Sequence, residues 1–283
     1  MAAPCIIIPA HNEAIAIGWT LAALAPIGQV AGTAHVIIAC NGCTDGTEAI
    51  AQAAAPAAQV LKLAERGKVH AINRALAEAP PGAVIVLDGD IAVSAAAIGA
   101  LAMALAEPGV MAASLYPRFA LDQADWVVRA FYGAYAAHPY LDRGVGGSGI
   151  YGLSANGRAA LGPLPAVVAD DQYVRCFFAL SAQRRVGHTP ENPAVQAVVR
   201  PPRSLGALLE TERRTRFGVG EVQRILPYRE REISRMTTLR WLFGVALRQP
   251  VAGAMYLLVK IWANATAGNF RPDTRKGWAP LRE

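Results

Sequence analysis

Val84-Ile85-Val86-Leu87-Asp88-Gly89-Asp90 is the stretch on which the fold turns. Four consecutive apolar residues, following the breaker Pro80-Pro81-Gly82, predict a buried strand over Val84–Leu87. Two carboxylates separated by one glycine close it. In an open α/β sheet ligands bind in the crevice beyond the carboxyl ends of the strands, so Asp88 and Asp90 stand where chemistry is expected. Paired carboxylates suit a hard divalent cation, Mg2+ or Mn2+, which takes oxygen ligands and shares them with substrate phosphates. Gly89 would let a bulky charged ligand approach the backbone. Asp-Gly is equally a common turn dipeptide, so the tripeptide alone leaves both readings open.

Outward from this stretch, strands and helices alternate. Strands are predicted at Cys5–Pro9, His35–Ala39 and Val60–Leu63, with a helical stretch that follows Ala10-His11-Asn12-Glu13 and runs to about Leu24, and a helix over Lys68–Glu78, where Val69, Ile72 and Leu76 share a face. Asp45, with Glu48 three residues on, spells a capping box for a helix after the second strand. The pattern implies α/β architecture: a mostly parallel central sheet flanked by helices. Neither G-x-G-x-x-G nor G-x-x-x-x-G-K-S/T follows the first strand, which lowers dinucleotide and P-loop enzymes in rank. Further on come Ser94 as cap of an alanine-rich helix, a strand Val110–Leu115 and a helix from about Leu121 to His138. Gly144–Gly152 holds five glycines in nine residues, and Asp170-Asp171 precedes another helix.

The chain's 283 residues are long enough for one large α/β domain with a tail; 53% are apolar and mean hydropathy is +0.27. The net charge of +6 is uneven. Residues 1–199 carry 11 Lys and Arg against 14 Asp and Glu, a net −3, whereas residues 200–283 carry 16 against 7, a net +9. An anionic partner is expected for the C-terminal third. Cys5, Cys40, Cys43 and Cys176 show no paired metal spacing beyond one C-x-x-C, so a reducing compartment is the simpler inference. No basic segment leads an apolar run at the N-terminus, and the apolar runs Trp241–Leu247 and Val251–Val259 fall short of the ~20 residues a spanning helix needs.

Pro9-Ala10-His11-Asn12-Glu13, Asn41-Gly42-Cys43-Thr44-Asp45-Gly46-Thr47, Gly67-Lys68 with Asn73, and Asp88-Gly89-Asp90 together resemble the nucleotide-sugar half of family 2 glycosyltransferases. That resemblance implies a GT-A fold and inverting transfer from a nucleotide-diphosphate sugar donor to an acceptor hydroxyl on a glycan, glycolipid or small molecule. It assigns Pro9, His11, Asn12, Glu13, Asn41, Lys68, Asp88, Gly89 and Asp90 to the nucleotide sugar. Asp88 would lie near the ribose, and Asp90, with Asp88, would hold the metal. Ser148, Gly149, Tyr151 and Asp170 would face the sugars, and Asp171 would be the catalytic base. Where the family often carries acidic residues this chain has Cys40-Asn41; an amide donates as well as accepts, so the base preference is left open.

Trp126, Phe131, Tyr132 and Tyr135 have a spacing that fits core or an acceptor groove. Arg213, Arg214 and Arg216, within a stretch of ten arginines and five glutamates from Arg200 to Arg240, are candidates for the diphosphate, against a solvated charged helix. Q-x-x-R-W is absent, since Thr237 stands three before Arg240, so a single-transfer enzyme is expected. Domains are drawn as a GT-A catalytic domain over 1–199, with a nucleotide-sugar half to about 115 and an acceptor half over 116–199, then a basic, mainly helical extension over 200–283. Helices broken at Pro250 would pack on the domain, dimerise, or lie on an anionic membrane at its cytoplasmic face. No nucleic-acid partner is expected. The rival readings are a nucleotidyltransferase and a noncatalytic binding module.

Overall fold

The computed structural model describes residues 3–31, 35–187, 195–226 and 235–270. Strands β1 (Cys5–Ala10), β2 (Val36–Asn41), β3 (Gln59–Leu63) and β4 (Val84–Leu87) pair in parallel, and helices α1 (Ile17–Ala31), α2 (Thr47–Ala54) and α3 (Lys68–Glu78) connect them. Beyond β4 the sheet takes in β8 (Ile150–Leu153), antiparallel to both neighbours, then β6 (Ala112–Leu115) and β9 (Gln183–Val186). Its order is β3-β2-β1-β4-β8-β6-β9. A second sheet of short strands, β5 (Ile91–Ala92), β10 (Ala197–Val199) and β7 (Pro117–Phe119), is ordered β5-β10-β7.

β1 and β4 are buried along their whole length, which is why they read as continuous apolar runs. Alternate residues serve opposite faces. Ile6, Ile8, Ile38, Ile85 and Leu87 pack with α1 and with α4 (Ala95–Ala106). Ile7, Ile37, Val84 and Val86 pack with α3, α6 (Ala155–Leu161) and α7 (Asp170–Phe177). A third core joins α5 (Trp126–Tyr135) to α8 (Leu205–Ile225), α9 (Arg235–Arg248) and α10 (Pro250–Thr266), so the described C-terminal helices are packed onto the rest of the chain through α5. Residues 227–234 and 271–283 of that extension lie outside the described residues.

Ser94 caps α4 as expected, accepting from Ala97 N at 3.1 Å. The capping box at Asp45 does not form. Gly46, at φ 86, is the N-cap of α2, so Asp45 falls one residue too early. It bonds Thr47 N at 3.0 Å and Ala14 N at 3.0 Å, tying the loops after β1 and β2, while Glu48 pairs with Lys62 at 3.2 Å. Helix α5 begins at Trp126 rather than Leu121 because Asp125 caps it, taking Val128 N at 2.8 Å. All four cysteines are free thiols.

Gly157, inside α6, marks the tightest packing: a Cβ there would overlap the backbone carbonyl of Met111. Backbone cannot rotate aside as a side chain can, so Gly157→Ala is expected to destabilise by about 1–3 kcal/mol despite its better helix propensity. A lowered midpoint in thermal unfolding checks this.

Candidate active site

The carboxyl end of β4 opens into a cavity of about 420 Å3. Asp88 and Asp90 line it from β4, Lys68 from the first turn of α3, Asp170 and Asp171 from the first turn of α7, and Gly147, Gly149 and Tyr151 from the glycine-rich segment running into β8. Lys68 stands between the two acidic pairs, its Nζ 2.7 Å from Asp88 Oδ1 and 2.9 Å from Asp170 Oδ1. Burial works against the lysine's charge, but Asp170 and Asp88 more than reverse it and raise its pKa. Burial pushes Asp88 up to about 7; Lys68 opposes this, and Asp170 and Asp90 add to it. One end of the cavity thus concentrates four carboxylates around one lysine.

The glycine-rich segment is shaped by what surrounds it. Gly149 has φ +65, and a Cβ there would lie 2.5 Å from Ile91 Cγ1, so the backbone conformation and the Ile91 side chain together favour glycine where the segment passes Asp88. Arg175, fully buried, donates to Arg143 O and Val145 O at 2.7 Å each, and Arg185 donates to Gly146 O at 2.7 Å. Asp171 Oδ2 accepts from Gly147 N at 3.1 Å and its Oδ1 from Gln172 N at 2.7 Å. A carboxylate offers about four acceptor positions, so Asp171 is fixed in place with acceptor capacity left over.

A family model for glycosyl transferase family 2 matches residues 5–148, just over half of the chain. The chain belongs to that family. No curated protein sequence matches it. Among solved structures, the mannosyltransferase PcManGT from Pyrobaculum calidifontis, in complex with GDP-Man and Mn2+, superposes with a TM-score of 0.60 at 22% identity, covering 96% of this chain and 77% of that one. Glucosyl-3-phosphoglycerate synthase from Mycobacterium tuberculosis, in complex with Mn2+, UDP and glucosyl-3-phosphoglycerate, gives 0.56 at 18% identity, covering 82% of each chain. Mannosyl-3-phosphoglycerate synthase from Rubrobacter xylanophilus gives 0.54 at 17%, covering 82% and 77%. These likenesses establish the GT-A fold for this family 2 chain.

The residues assigned from sequence are not all brought together. Lys68, Asp88, Asp90, Gly149, Tyr151, Asp170, Asp171 and Arg214 line the cavity. Asn41 is 1% exposed and spends its amide on the framework: Nδ2 donates to Ala10 O at 2.8 Å and Oδ1 accepts from Gly67 N at 3.0 Å. It joins the end of β1 to the start of α3, and so sets where Lys68 begins. His11 is buried with Nδ1 2.5 Å from Asn41 O, and Pro9 lies within β1. Asn12, at φ 53, uses Oδ1 to hold Thr44 N at 2.8 Å; with Glu13 it borders a second cavity against Arg118 and Arg200. Ser148 is fully buried, its Oγ 2.8 Å from Ser114 Oγ and 3.1 Å from Ile150 O. Of the three arginines, Arg213 turns to Thr266 O (3.2 Å) and Glu210 (3.3 Å), and Arg216 is exposed.

The far end of the cavity comes from residues that sequence reading did not assign to a site: His138, Tyr140, Glu212, Tyr256 and Lys260, beside Tyr132 and Tyr135. Glu212 and Lys260 pair at 2.5 Å across α8 and α10. Phe131 is core, stacked on Tyr256 at 5.3 Å, and Trp126 faces solvent.

Asp88 and Asp90 fit a hard cation, and Asp170 Oδ2 is a buried carboxylate oxygen making no hydrogen bond of ordinary geometry among the described residues. A carboxylate pair suits an ion that completes its shell with a diphosphate and water; among the described residues no group of three or more His, Cys, Asp or Glu side chains is placed to hold a metal.

His138 carries a pH dependence. Its Nδ1 accepts from Tyr140 N at 3.0 Å, and burial first, then Lys260 and Arg175, lowers its pKa from 6.5 to about 4. The unfolded chain then binds a proton below pH 6.5 that the folded chain refuses until about pH 4. Stability from this residue is full above the unfolded value and lost as pH falls through that window, by about 3 kcal/mol. Denaturant midpoints at neutral pH and near pH 4 should show a smaller acid loss in His138→Asn.

Proposed function

We propose that the chain is an inverting glycosyltransferase that moves a sugar from a nucleotide-diphosphate donor to an acceptor hydroxyl in a single transfer. The observation that carries this is the convergence of Asp88 and Asp90 with Asp170 and Asp171 on one cavity, bridged by Lys68. The solved neighbours include complexes with GDP-Man, UDP or UDP-glucose, each with Mn2+, which supports the donor class.

The donor's diphosphate lies at the β4 end, where Lys68 meets its charge and Arg214 approaches from α8. Asp90, with Asp88, would hold Mg2+ or Mn2+, which when bound neutralises charge on the leaving diphosphate. Gly149 and Tyr151 border the sugar; Tyr151, whose phenol burial and Asp170 keep well above its ordinary pKa, stays protonated as a donor. The acceptor enters from the end lined by Tyr132, Tyr135, Tyr256 and the Glu212–Lys260 pair, whose flat apolar rings and polar edges match a molecule with apolar faces and hydroxyl rims. Asp171 accepts the hydroxyl proton as that oxygen attacks the anomeric carbon opposite the diphosphate, which inverts the centre. Four free thiols and a nucleotide-sugar donor together fit a reducing cytoplasm.

Thermal shift with UDP, GDP, ADP, CDP and TDP, each in Mn2+, Mg2+ or EDTA, tests the donor site. One diphosphate should raise the melting temperature in a metal-dependent way. No shift with any of them would contradict the proposal.

A further inference from the structure

The outward side of the C-terminal helix pair is apolar and, among the described residues, uncovered. Leu239, Phe243 and Leu247 recur at helical spacing on α9, with Phe243 67% and Leu247 70% exposed; Val251, Leu258 and Ile261 are exposed on α10. The two stripes meet at the corner between α9 and Pro250, where Leu247 and Val251 both face solvent. Isolated surface apolar side chains are ordinary, but a contiguous run over two adjoining helices marks a docking surface.

The pair is fixed from behind. Trp241 packs on His138 at 4.4 Å and on Tyr256 at 4.9 Å, and Gly253 crosses α9 so closely that a Cβ would lie 3.3 Å from Ala246 Cα. The apolar face is therefore turned outward by packing within the protein, not by loose placement of the helices. Helix α10 serves two sides, with Tyr256 and Lys260 on the active-site cavity and Leu258 and Ile261 on the surface.

Charge decides among occupants. From Arg235 to Phe270 the sequence holds Arg235, Arg240, Arg248 and Lys260 and no acidic residue, and Arg240 and Arg248 are exposed beside the stripe. A second copy docking face to face would set these arginines against their own equivalents with no carboxylate in either helix to offset them. Helices of 14 and 17 residues do not cross a bilayer, and none among the described residues is long and apolar enough to do so. An apolar stripe with arginine margins on such helices fits the interfacial plane of a bilayer rich in anionic headgroups.

We propose that the α9–α10 face docks the protein on an anionic lipid surface. The docking stands independently of the transfer reaction, and it brings the acceptor end of the cavity within one helix of the lipid.

Co-sedimentation of the full chain with vesicles of phosphatidylcholine alone, or mixed with phosphatidylglycerol, at low and high salt, tests this. Partitioning should be about tenfold or more stronger on the anionic vesicles and fall with salt. The double variants Phe243→Ser with Leu247→Ser, and Arg240→Glu with Arg248→Glu, should each lose about tenfold while keeping the melting temperature and the shift with nucleoside diphosphate. Equal binding to both vesicles, or binding to neither, would overturn the proposal. So would a wild-type dimer in vesicle-free buffer that the Phe243→Ser, Leu247→Ser variant converts to monomer. Loss of the nucleotide response with lipid binding intact would strike the donor site and leave the docking surface standing.

Discussion

Asp171→Asn should lower transfer by about 10²–10⁴-fold, the range a positioned general base contributes, while leaving nucleoside-diphosphate affinity near that of the wild type. An acceptor hydroxyl is a poor nucleophile until its proton leaves, and an amide cannot take that proton. The replacement is close to isosteric, and its oxygen still accepts one of the two backbone N–H groups, Gly147 or Gln172, that now hold the carboxylate. The other donor meets an NH2 group, a local cost of about 1 kcal/mol that a thermal melt separates from loss of chemistry. Asp170 is no substitute, because its Oδ1 is held 2.9 Å from Lys68 in a site 1% exposed. Full activity in the variant would remove Asp171 as base.

Asp90→Ala should act on the other half of the reaction. Donor affinity measured in Mn2+ should fall on the order of 10²-fold, to near the value in EDTA, because an ion at a leaving diphosphate contributes several kcal/mol. Asp90 is 6% exposed, so its carboxylate has little water to fall back on and its removal leaves the ion short of a ligand. Asp88 does not compensate, because on the same proposal it is already a ligand and its Oδ1 also lies 2.7 Å from Lys68. Titration with the diphosphate that the thermal panel selects reads this directly, and unchanged Mn2+-dependent affinity would count against Asp90 as ligand.

On the proposed mechanism the two variants separate the leaving-group role from the nucleophile role within the acidic end of the cavity. Both acidic pairs that line the cavity were legible in the sequence, because each terminates or starts an element with a strong local signal: the apolar run of β4 before Asp88, and the first turn of α7 at Asp170. Lys68 at the start of α3 was legible for the same reason, with Gly67 ahead and a periodic apolar face behind.

What the sequence hid depends on contacts between distant segments. The second sheet is built from strands of two or three residues, β5, β7 and β10, whose pairing spans about a hundred residues and leaves no periodic trace. Glu212 and Lys260 read as ordinary helix-surface charges, and only the packing of α8 and α10 on α5 makes them cavity wall. Asn41 sits where a ligand contact was expected, yet its amide joins Ala10 O to Gly67 N; a side chain able to donate and accept at once was recruited to the framework. Ser148 is similar, its hydroxyl drawn inward to Ser114. Residue type and position announced a polar role at both places, but direction is a tertiary property.

Proton NMR of donor turnover, with water as nucleophile and no added acceptor, tests the central claim most directly by reading the anomeric configuration of the first-formed sugar. Attack assisted by Asp171 from the face opposite the diphosphate predicts the inverted anomer, with mutarotation following later. A first product that retains the donor's configuration would contradict the account.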